Sequence, residues 1–253
     1  MLPLSVVIIA KNEAKVLNLS LPPLKDWAKE IIVVINDCTD TTKEVAESFG
    51  ATVIEHQWEG YGKQRNFAQS CAHEDWILKI DADEVISEEL KHSIEEFFND
   101  KQISETTTVG YCYRCNRYLG RCLNHFKDQI PLLLKRKKVR WEKDVHEKLC
   151  YEGSTYLFNG LLYHYTENSI QETLNKRIHY AQLSANTLSK KHSLGMLMVK
   201  AIFDPIASFL KCYFLRRCFL EKFPGFYYAV IDALYTFLKY TFAIELIINK
   251  KGS

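Results

Sequence analysis

Four short apolar runs recur in the first third of the chain, and each is followed by a polar loop and a helix-like stretch. The runs are residues 5–10, 30–35, 52–55 and 76–80. Uninterrupted apolar runs are typical of strands that are buried on both faces of a parallel sheet. Strands that alternate with helices predict βαβ units, and right-handed crossovers bring the strand-end loops to one face. We therefore expect an α/β fold with a mostly parallel sheet.

The fourth run ends on two aspartates that are separated by one residue, Asp81 and Asp83. Ligands bind open α/β sheets at the carboxyl ends of the strands, and two carboxylates there can hold a hard cation such as Mg²⁺ or Mn²⁺. The same carboxylates could instead cap the helix that we predict over residues 87–98, with Ser87 as its N-cap. The motif alone leaves both interpretations open.

The middle of the chain has a different pattern. Apolar and aromatic side chains alternate in residues 109–113 and parts of 130–134, and residues 161–165 are again strand-like. This pattern predicts short mixed or antiparallel strands with longer loops. The basic run at residues 135–140 is either a solvated hairpin turn or a patch for acceptor phosphates or an anionic membrane face.

The last third is helical in pattern and rich in aromatic residues. We predict helices over residues 170–190, 194–215 and 219–248, so that a helical region of residues 169–253 follows an α/β domain of residues 1–168. Charged residues interrupt every apolar stretch, and we expect no membrane-spanning helix. Aromatic helices with nearby Lys and Arg suit a membrane interface. A packed helical subdomain that covers the sheet is the alternative.

The composition narrows the class of protein. The 253 residues include 33 Lys and Arg against 31 Asp and Glu, so no overall field favours nucleic acid as a partner. The eight cysteines are scattered, and residues 1–10 contain no basic segment of a secretory signal. Cys112 and Cys115 lack the second pair of a zinc finger. We therefore expect free thiols in a cytoplasmic protein.

Five short motifs follow one another in a recognisable order. They are residues 5–13, Cys38-Thr39-Asp40, residues 60–68, residues 81–84 and Val145-His146-Glu147. Together they resemble the family 2 glycosyltransferases of the GT-A fold, and in particular the lipopolysaccharide core β-1,4-glucosyltransferase group. The resemblance implies a Rossmann-like, mostly parallel sheet with flanking helices, to which a C-terminal α-helical extension is added.

The resemblance also implies an activity. We expect transfer of a hexose with inversion, glucose from UDP-glucose, to a lipopolysaccharide-core or other envelope glycolipid. We expect the protein to lie peripherally on the inner face of the cytoplasmic membrane, bound through its C-terminal helices at residues 194–248. A polyprenyl-phosphate glycosyltransferase and a nucleotide-sugar-binding protein without catalysis are the alternatives.

The same resemblance implies roles for individual residues. A cation, Mg²⁺ or Mn²⁺, would neutralise the diphosphate leaving group, and a base would take the acceptor proton. The resemblance assigns the cation to Asp83 and His146, and the base to Asp128 with Glu147 as its rival. It assigns nucleotide-sugar binding to a larger set of residues: Ala10, Glu13, Asp40, Lys63, Arg65 and Asp81.

Two positions depart from the family pattern. Family members commonly carry an Asp at the end of the second strand, where this chain has Ile35. Asn36 or Asp37 would then have to contact the nucleotide base. The group usually has Arg-Leu-Phe-Arg after the base region, and its first Arg appears here as Leu132.

Overall fold

A computed structural model gives the fold of the chain. It describes four stretches, which are residues 1–118, 120–142, 148–165 and 170–252. The chain forms two compact units, the first from Met1–Cys115 with Asp128–Tyr165 and the second from Asn116–Lys127 with Thr166–Ser253. The domain boundary expected at residue 168 lies outside the described residues and stays a prediction.

Strands and helices alternate through the first half of the chain, and helices dominate the end. The strands are β1 (Leu2–Ala10), β2 (Ala28–Ile35), β3 (Thr52–Glu55), β4 (Trp76–Lys79), β5 (Glu84–Ile86), β6 (Thr107–Tyr118), β7 (Arg121–Lys135), β8 (Val139–Glu142), β9 (Lys148–Tyr151) and β10 (Ser154–His164). The α-helices are α1 (Ala14–Ser20), α2 (Thr42–Ser48), α3 (Tyr61–Ser70), α4 (Glu88–Asn99), α5 (Lys101–Thr106), α6 (Ile170–Lys191), α7 (Leu194–Leu210) and α8 (Lys222–Gly252). Shorter helical turns cover Arg136–Lys138, Lys211–Leu215 and Cys218–Glu221.

Eight strands form one mixed sheet in the order β3-β2-β1-β4-β7-β6-β10-β5. The four strands that the apolar runs predict are its parallel part, because β1 pairs in parallel with β2 and β4, and β2 pairs in parallel with β3. Their C-terminal ends therefore lie at one edge of the sheet. Strands β8 and β9 form a separate antiparallel pair.

The remaining strands of this sheet, β7, β6, β10 and β5, extend it from β4 to its other edge. Strand β7 pairs antiparallel with β4, and β5 pairs antiparallel with β10 at the far edge of the sheet. The turn between β4 and β5 contains Asp81 and Asp83, so it connects the middle of the sheet to that edge. Ser87 accepts a hydrogen bond from the Leu90 amide and caps α4, as predicted.

Both faces of β1, β2 and β4 are largely buried, which explains their apolar sequences. Because side chains alternate along a strand, Val6 and Ile8 pack into one apolar cluster with Leu90, while Val7 packs into another with Ala68. Helices α1 and α4 contribute to the first cluster and α3 to the second.

The second unit is built mainly from α6, α7 and α8. Leu197 and Ala201 of α7 are buried with Tyr240 and Ala243 of α8 and with Ala185 of α6. In the part of the chain that the structure describes, no helix combines the length and the apolar character that a membrane crossing requires.

The prediction that all cysteines are free thiols is wrong for two of them. Cys115 and Cys122 are disulfide-bonded. They lie on the consecutive strands β6 and β7, and the scattered spacing of the eight cysteines did not indicate a bond there. The other six cysteines are free: Cys38, Cys71, Cys112, Cys150, Cys212 and Cys218.

Candidate active site

Asp81 lies at the C-terminal end of β4 and pairs with two cations. Its Oδ1 accepts a hydrogen bond from Arg65 Nη1 at 3.0 Å, and its Oδ2 is 3.2 Å from Lys79 Nζ. The side chains of Arg65 and Lys79 are only 10% and 11% exposed. Burial alone would raise the pKa of Asp81, but these two charges outweigh it and hold that pKa well below its ordinary value. Because each carboxylate oxygen already faces a cation, Asp81 is poorly placed to hold a metal ion directly.

Glu84 closes the turn and is fully buried. Its Oε2 accepts the Asp81 backbone N–H at 2.9 Å and lies 3.8 Å from Lys79 Nζ, while its Oε1 lies 3.3 Å from Arg114 Nη1. A buried charge is tolerated when it is paired and hydrogen-bonded in this way. Glu84 therefore fixes the shape of the Asp81–Glu84 turn and connects it to β6.

Arg114 on β6 connects Glu84 with the predicted base, Asp128. Its Nη2 lies 3.4 Å from Asp128 Oδ2. Burial alone would lower the pKa of Arg114, but Glu84 and Asp128 outweigh it and raise that pKa. Asp128 is 43% exposed and so stays accessible beside this permanent charge. Asp81 and Asp128 thus belong to one ion-pair network. The sequence did not predict it because the residues that connect them, Glu84 and Arg114, lie on different strands.

Asp83 has a partner that the sequence analysis did not identify. Its Oδ2 lies 3.2 Å from Nε2 of His164, the last residue of β10, and its carbonyl accepts the Tyr165 N–H at 2.8 Å. The β5–β10 pairing, which sets His164 opposite Glu84, brings the two together. The sequence offered one signal for this partner, which was the histidine near the end of the strand-like residues 161–165. The predicted His146 and Glu147 lie outside the described residues.

The Asp83–His164 pair suits a hard divalent cation. Mg²⁺ is often held by one or two carboxylates and completes its shell with water and substrate phosphates, and imidazole is an acceptable ligand for Mn²⁺. Within the four described stretches, no group of three or more His, Cys, Asp or Glu forms a metal cluster. The residues present therefore fit a cation whose remaining ligands come from a phosphate-bearing substrate.

A cleft of about 570 Å³ opens at the ends of β1 and β2. The loops around it are tied together: Asn12 Oδ1 accepts the Thr39 N–H at 2.7 Å, and Asp40 Oδ2 accepts the Ala14 N–H at 3.2 Å. The lining combines apolar, aromatic and polar side chains: Ile9, Ala10, Lys11, Glu13, Val34, Asn36, Asp37, Trp58, Tyr61 and Gln64. Two predicted nucleotide-sugar residues, Ala10 and Glu13, thus line the same cleft.

A second cleft of about 420 Å³ adjoins Asp81. Four cationic side chains line it: Arg65, Lys79, Arg114 and Lys148. The aromatic side chains Tyr111 and Trp141 also contribute, and the Arg65 guanidinium lies 5.2 Å from the centre of the Trp141 ring. This cleft can accept an anionic group beside the aspartate turn.

Comparison with known proteins identifies the family. The model of "Glycosyl transferase family 2" matches residues 5–147. An uncharacterized glycosyltransferase of Rickettsia prowazekii (strain Madrid E) is 33% identical, over 93% of this chain and 85% of its own. The chain belongs to glycosyl transferase family 2. The predicted fold class, an α/β sheet with flanking helices and a C-terminal helical extension, is confirmed by the elements described above.

Three further similar proteins have lower sequence identity to this chain. The lipopolysaccharide core biosynthesis glycosyltransferase LpsC of Rhizobium meliloti (strain 1021) is 29% identical over 94% of this chain and 90% of its own. Among solved structures, S. aureus TarS is 16% identical over 70% of this chain and 39% of that one, with a TM-score of 0.43. Glucosyl-3-phosphoglycerate synthase from Mycobacterium tuberculosis with Mg²⁺ and UDP is 21% identical over 44% and 43%, with a TM-score of 0.36.

Two expected nucleotide-sugar residues of this family 2 chain lie outside the lining of both clefts. Lys63 is 61% exposed and lies 3.9 Å from Glu59. Asp40 is exposed and accepts the Thr42 N–H at 3.0 Å, and its hydrogen bond with the Thr42 hydroxyl lowers its pKa. Asp40 therefore orders the loop after β2.

The departures from the family pattern have structural counterparts. Ile35 is buried in the core, while Asn36 and Asp37 line the first cleft, where the missing Asp would be needed. Leu132 is fully buried. It therefore contributes to packing, where an Arg would carry a charge into the core.

Proposed function

We propose that this family 2 enzyme is an inverting, metal-dependent hexosyltransferase that moves glucose from UDP-glucose to a lipopolysaccharide-core or other envelope glycolipid. The observation that carries the proposal is the aspartate turn after β4. It holds Asp83 beside His164, and it connects through Glu84 and Arg114 to Asp128.

The first cleft is the proposed donor-binding site. Its volume falls within the range of small-ligand pockets, about 300–1,000 Å³. Trp58 and Tyr61 offer aromatic faces for a base, and Asn36, Asp37 and Glu13 offer polar groups for the base and ribose. Gln64 of this cleft and Arg65 of the second cleft are consecutive on α3. A bound nucleotide could therefore direct its diphosphate toward the aspartate turn.

Asp83 and His164 are the proposed protein ligands of Mg²⁺ or Mn²⁺, with His146 kept as a candidate. The cation would supply positive charge to the departing diphosphate. Arg65 and Lys79 supply fixed positive charge in the same region, and Asp81 orients both of them.

Asp128 is the proposed base, with Glu147 as its rival. As the acceptor hydroxyl oxygen bonds to the anomeric carbon, the bond from that carbon to the diphosphate oxygen breaks, and Asp128 takes the hydroxyl proton. Attack from the face opposite the leaving group inverts the anomeric configuration. Arg114 would hold the Asp128 carboxylate in place through this step.

The similarity to LpsC supports the choice of acceptor class. We infer that the enzyme works peripherally at the inner face of the cytoplasmic membrane, where lipid-linked acceptors are assembled.

The test combines UDP binding with turnover in purified variants. Asp83→Asn and His164→Gln should lose the Mn²⁺-dependent part of UDP affinity, measured by calorimetry, and most of the turnover. Asp128→Asn should keep UDP affinity and lose turnover by ~10²–10⁴-fold, the usual contribution of a positioned base. Asp75→Asn, at an exposed aspartate of the same unit, is the matched control.

The outcomes separate the alternatives. Near-normal turnover in Asp83→Asn would contradict the metal assignment. Loss of turnover in Glu147→Gln, with turnover kept in Asp128→Asn, would make Glu147 the base instead of Asp128. Transfer to polyprenyl phosphate but not to lipopolysaccharide would favour the polyprenyl-phosphate class. UDP-glucose binding without transfer to either acceptor would favour a binding protein.

A further inference from the structure

Helix α7 is apolar on two sides, and only one of them is covered within the second unit. Leu197 and Ala201 are buried against α6 and α8. On the other side, five large apolar residues are 47–63% exposed: Val199, Ile202, Phe203, Ile206 and Leu210. At 3.6 residues per turn they fall within an arc of about 100°, so they form one continuous stripe.

The stripe continues into the segment after α7. Phe214 and Leu215 of the π-helical turn are 55% and 78% exposed, and Phe223 at the start of α8 is 66% exposed. In the part of the chain that the structure describes, 13 of the 26 exposed large apolar side chains lie in residues 196–226. We call this surface the α7 apolar face. Contiguous apolar surfaces of this kind mark interaction sites.

Basic residues outnumber acidic ones beside the α7 apolar face. Residues 196–226 contain five Lys and Arg against two acids, Asp204 and Glu221, and Asp204 lies 3.4 Å from Lys200. Residues 205–220 contain Lys211, Arg216 and Arg217 and no acidic residue. The next acid, Glu221, accepts the His125 N–H at 2.5 Å and lies 2.9 Å from its Nδ1. The surface therefore combines exposed aromatic and aliphatic side chains with exposed basic ones.

We propose that the α7 apolar face docks onto an anionic lipid bilayer. Apolar side chains with flanking Lys and Arg match the acyl boundary and the anionic headgroups together. A second copy of the chain fits this surface less well, because a two-fold contact places the same patch on both partners. Lys211, Arg216 and Arg217 would then meet like charges. The proposal rests on the peripheral membrane location inferred above and concerns the second unit, whereas the donor and base assignments do not depend on it.

The apolar part is tested by flotation with vesicles of phosphatidylglycerol and phosphatidylcholine. I202E/F203E should lower the vesicle partition coefficient at least ~100-fold, because two large apolar side chains no longer enter the bilayer. A second pair, F214E/L215E, should have the same effect. The matched control is I178E/L183E on α6, which adds the same charge at exposed apolar positions and should bind like the wild type. Circular dichroism checks that each variant is folded.

The basic part is tested by K211Q/R217Q. At low salt, vesicle binding should fall about thirtyfold, from ~1 kcal/mol per basic residue near the surface. At high salt the difference from the wild type should disappear because the attraction is screened. K190Q/K191Q, at the exposed end of α6, is the matched charge control and should bind more tightly than K211Q/R217Q.

Two results would overturn the proposal. Equal flotation of the wild type and both glutamate pairs would show that the α7 apolar face does not contact the bilayer. A wild-type dimer in sedimentation that I202E/F203E converts to a monomer, without vesicle binding by either form, would make a second copy the occupant. A failure of UDP binding or turnover would affect only the proposed function.

Discussion

Glu30→Gln should destabilise the first unit in a pH-dependent way. The Glu30 carboxylate, near the start of β2, joins this strand to β1 and to the loop before β4. It accepts hydrogen bonds from the buried Ser5 hydroxyl and from the His73 N–H at 2.6 Å, and its other oxygen lies 2.9 Å from His73 Nδ1. The side chain is 22% exposed.

The magnitude follows from the lost charge. Hydrogen bonds to a charged group contribute about 1.5–3 kcal/mol each, and glutamine keeps one acceptor oxygen but turns an amide toward the remaining donors. We expect the free energy of unfolding to fall by about 2 kcal/mol at pH 7. For a typical dependence of that free energy on urea concentration, the urea midpoint falls by about 1 M.

The pH dependence has a defined sign. Burial alone would raise the pKa of Glu30, but the bonds from Ser5 and His73 outweigh it and lower that pKa. A lowered folded-state pKa gives stability that is present above the unfolded value of about 4.3 and is lost as the pH falls through the folded value. The difference between wild type and Glu30→Gln should therefore shrink below about pH 4.

The assay is urea unfolding followed by tryptophan fluorescence between pH 7 and pH 3. Glu55→Gln, at an exposed position of β3, is the matched control and should change the midpoint little. A Glu30→Gln effect that stays constant over this pH range would show that the carboxylate charge is not the source of the stability.

Two further substitutions test the packing behind the aspartate turn by the same urea assay. Glu84→Gln should lower the free energy of unfolding by about 3 kcal/mol because it removes a buried carboxylate that lies beside both Lys79 and Arg114. An effect no larger than that of exposed Glu105→Gln would contradict this. Gly160→Ala should lower the free energy of unfolding more than Gly50→Ala does. Both glycines have positive φ, which costs an L-residue about 1–2 kcal/mol, but only at Gly160 would a Cβ lie 2.7 Å from Leu90 Cα. Equal losses would mean that the backbone moves aside.

The parallel part of the sheet and the aspartate turn were predictable because both depend on local sequence. An uninterrupted apolar run such as residues 5–10 indicates a strand buried on both faces, and β1 is that strand. The partner of Asp83 was not predictable. His164 lies about 80 residues away, and only the β5–β10 register brings it to the turn. His146, which the motif order favours, lies outside the described residues.

Charged residues inside strands were also hard to interpret from the sequence. Arg114 follows the alternating residues 109–113 on β6, and no pattern in the sequence indicates its partner. It pairs with the buried Glu84. A fully buried carboxylate breaks the usual apolar–polar pattern, so its role becomes visible only with the surrounding strands in place.

The position of β5 has a consequence for synthesis of the chain. The aspartate turn begins after β4 and ends at β5. Its β5 end is fixed only when β5 pairs with β10, whose last residue is His164. Pairings over so many residues form slowly. On a ribosome that has released only residues 1–150, β4 can already join β1, yet Asp83 has neither His164 nor its strand support. A nascent chain of that length should therefore remain a chaperone substrate whose aspartate turn is not yet supported.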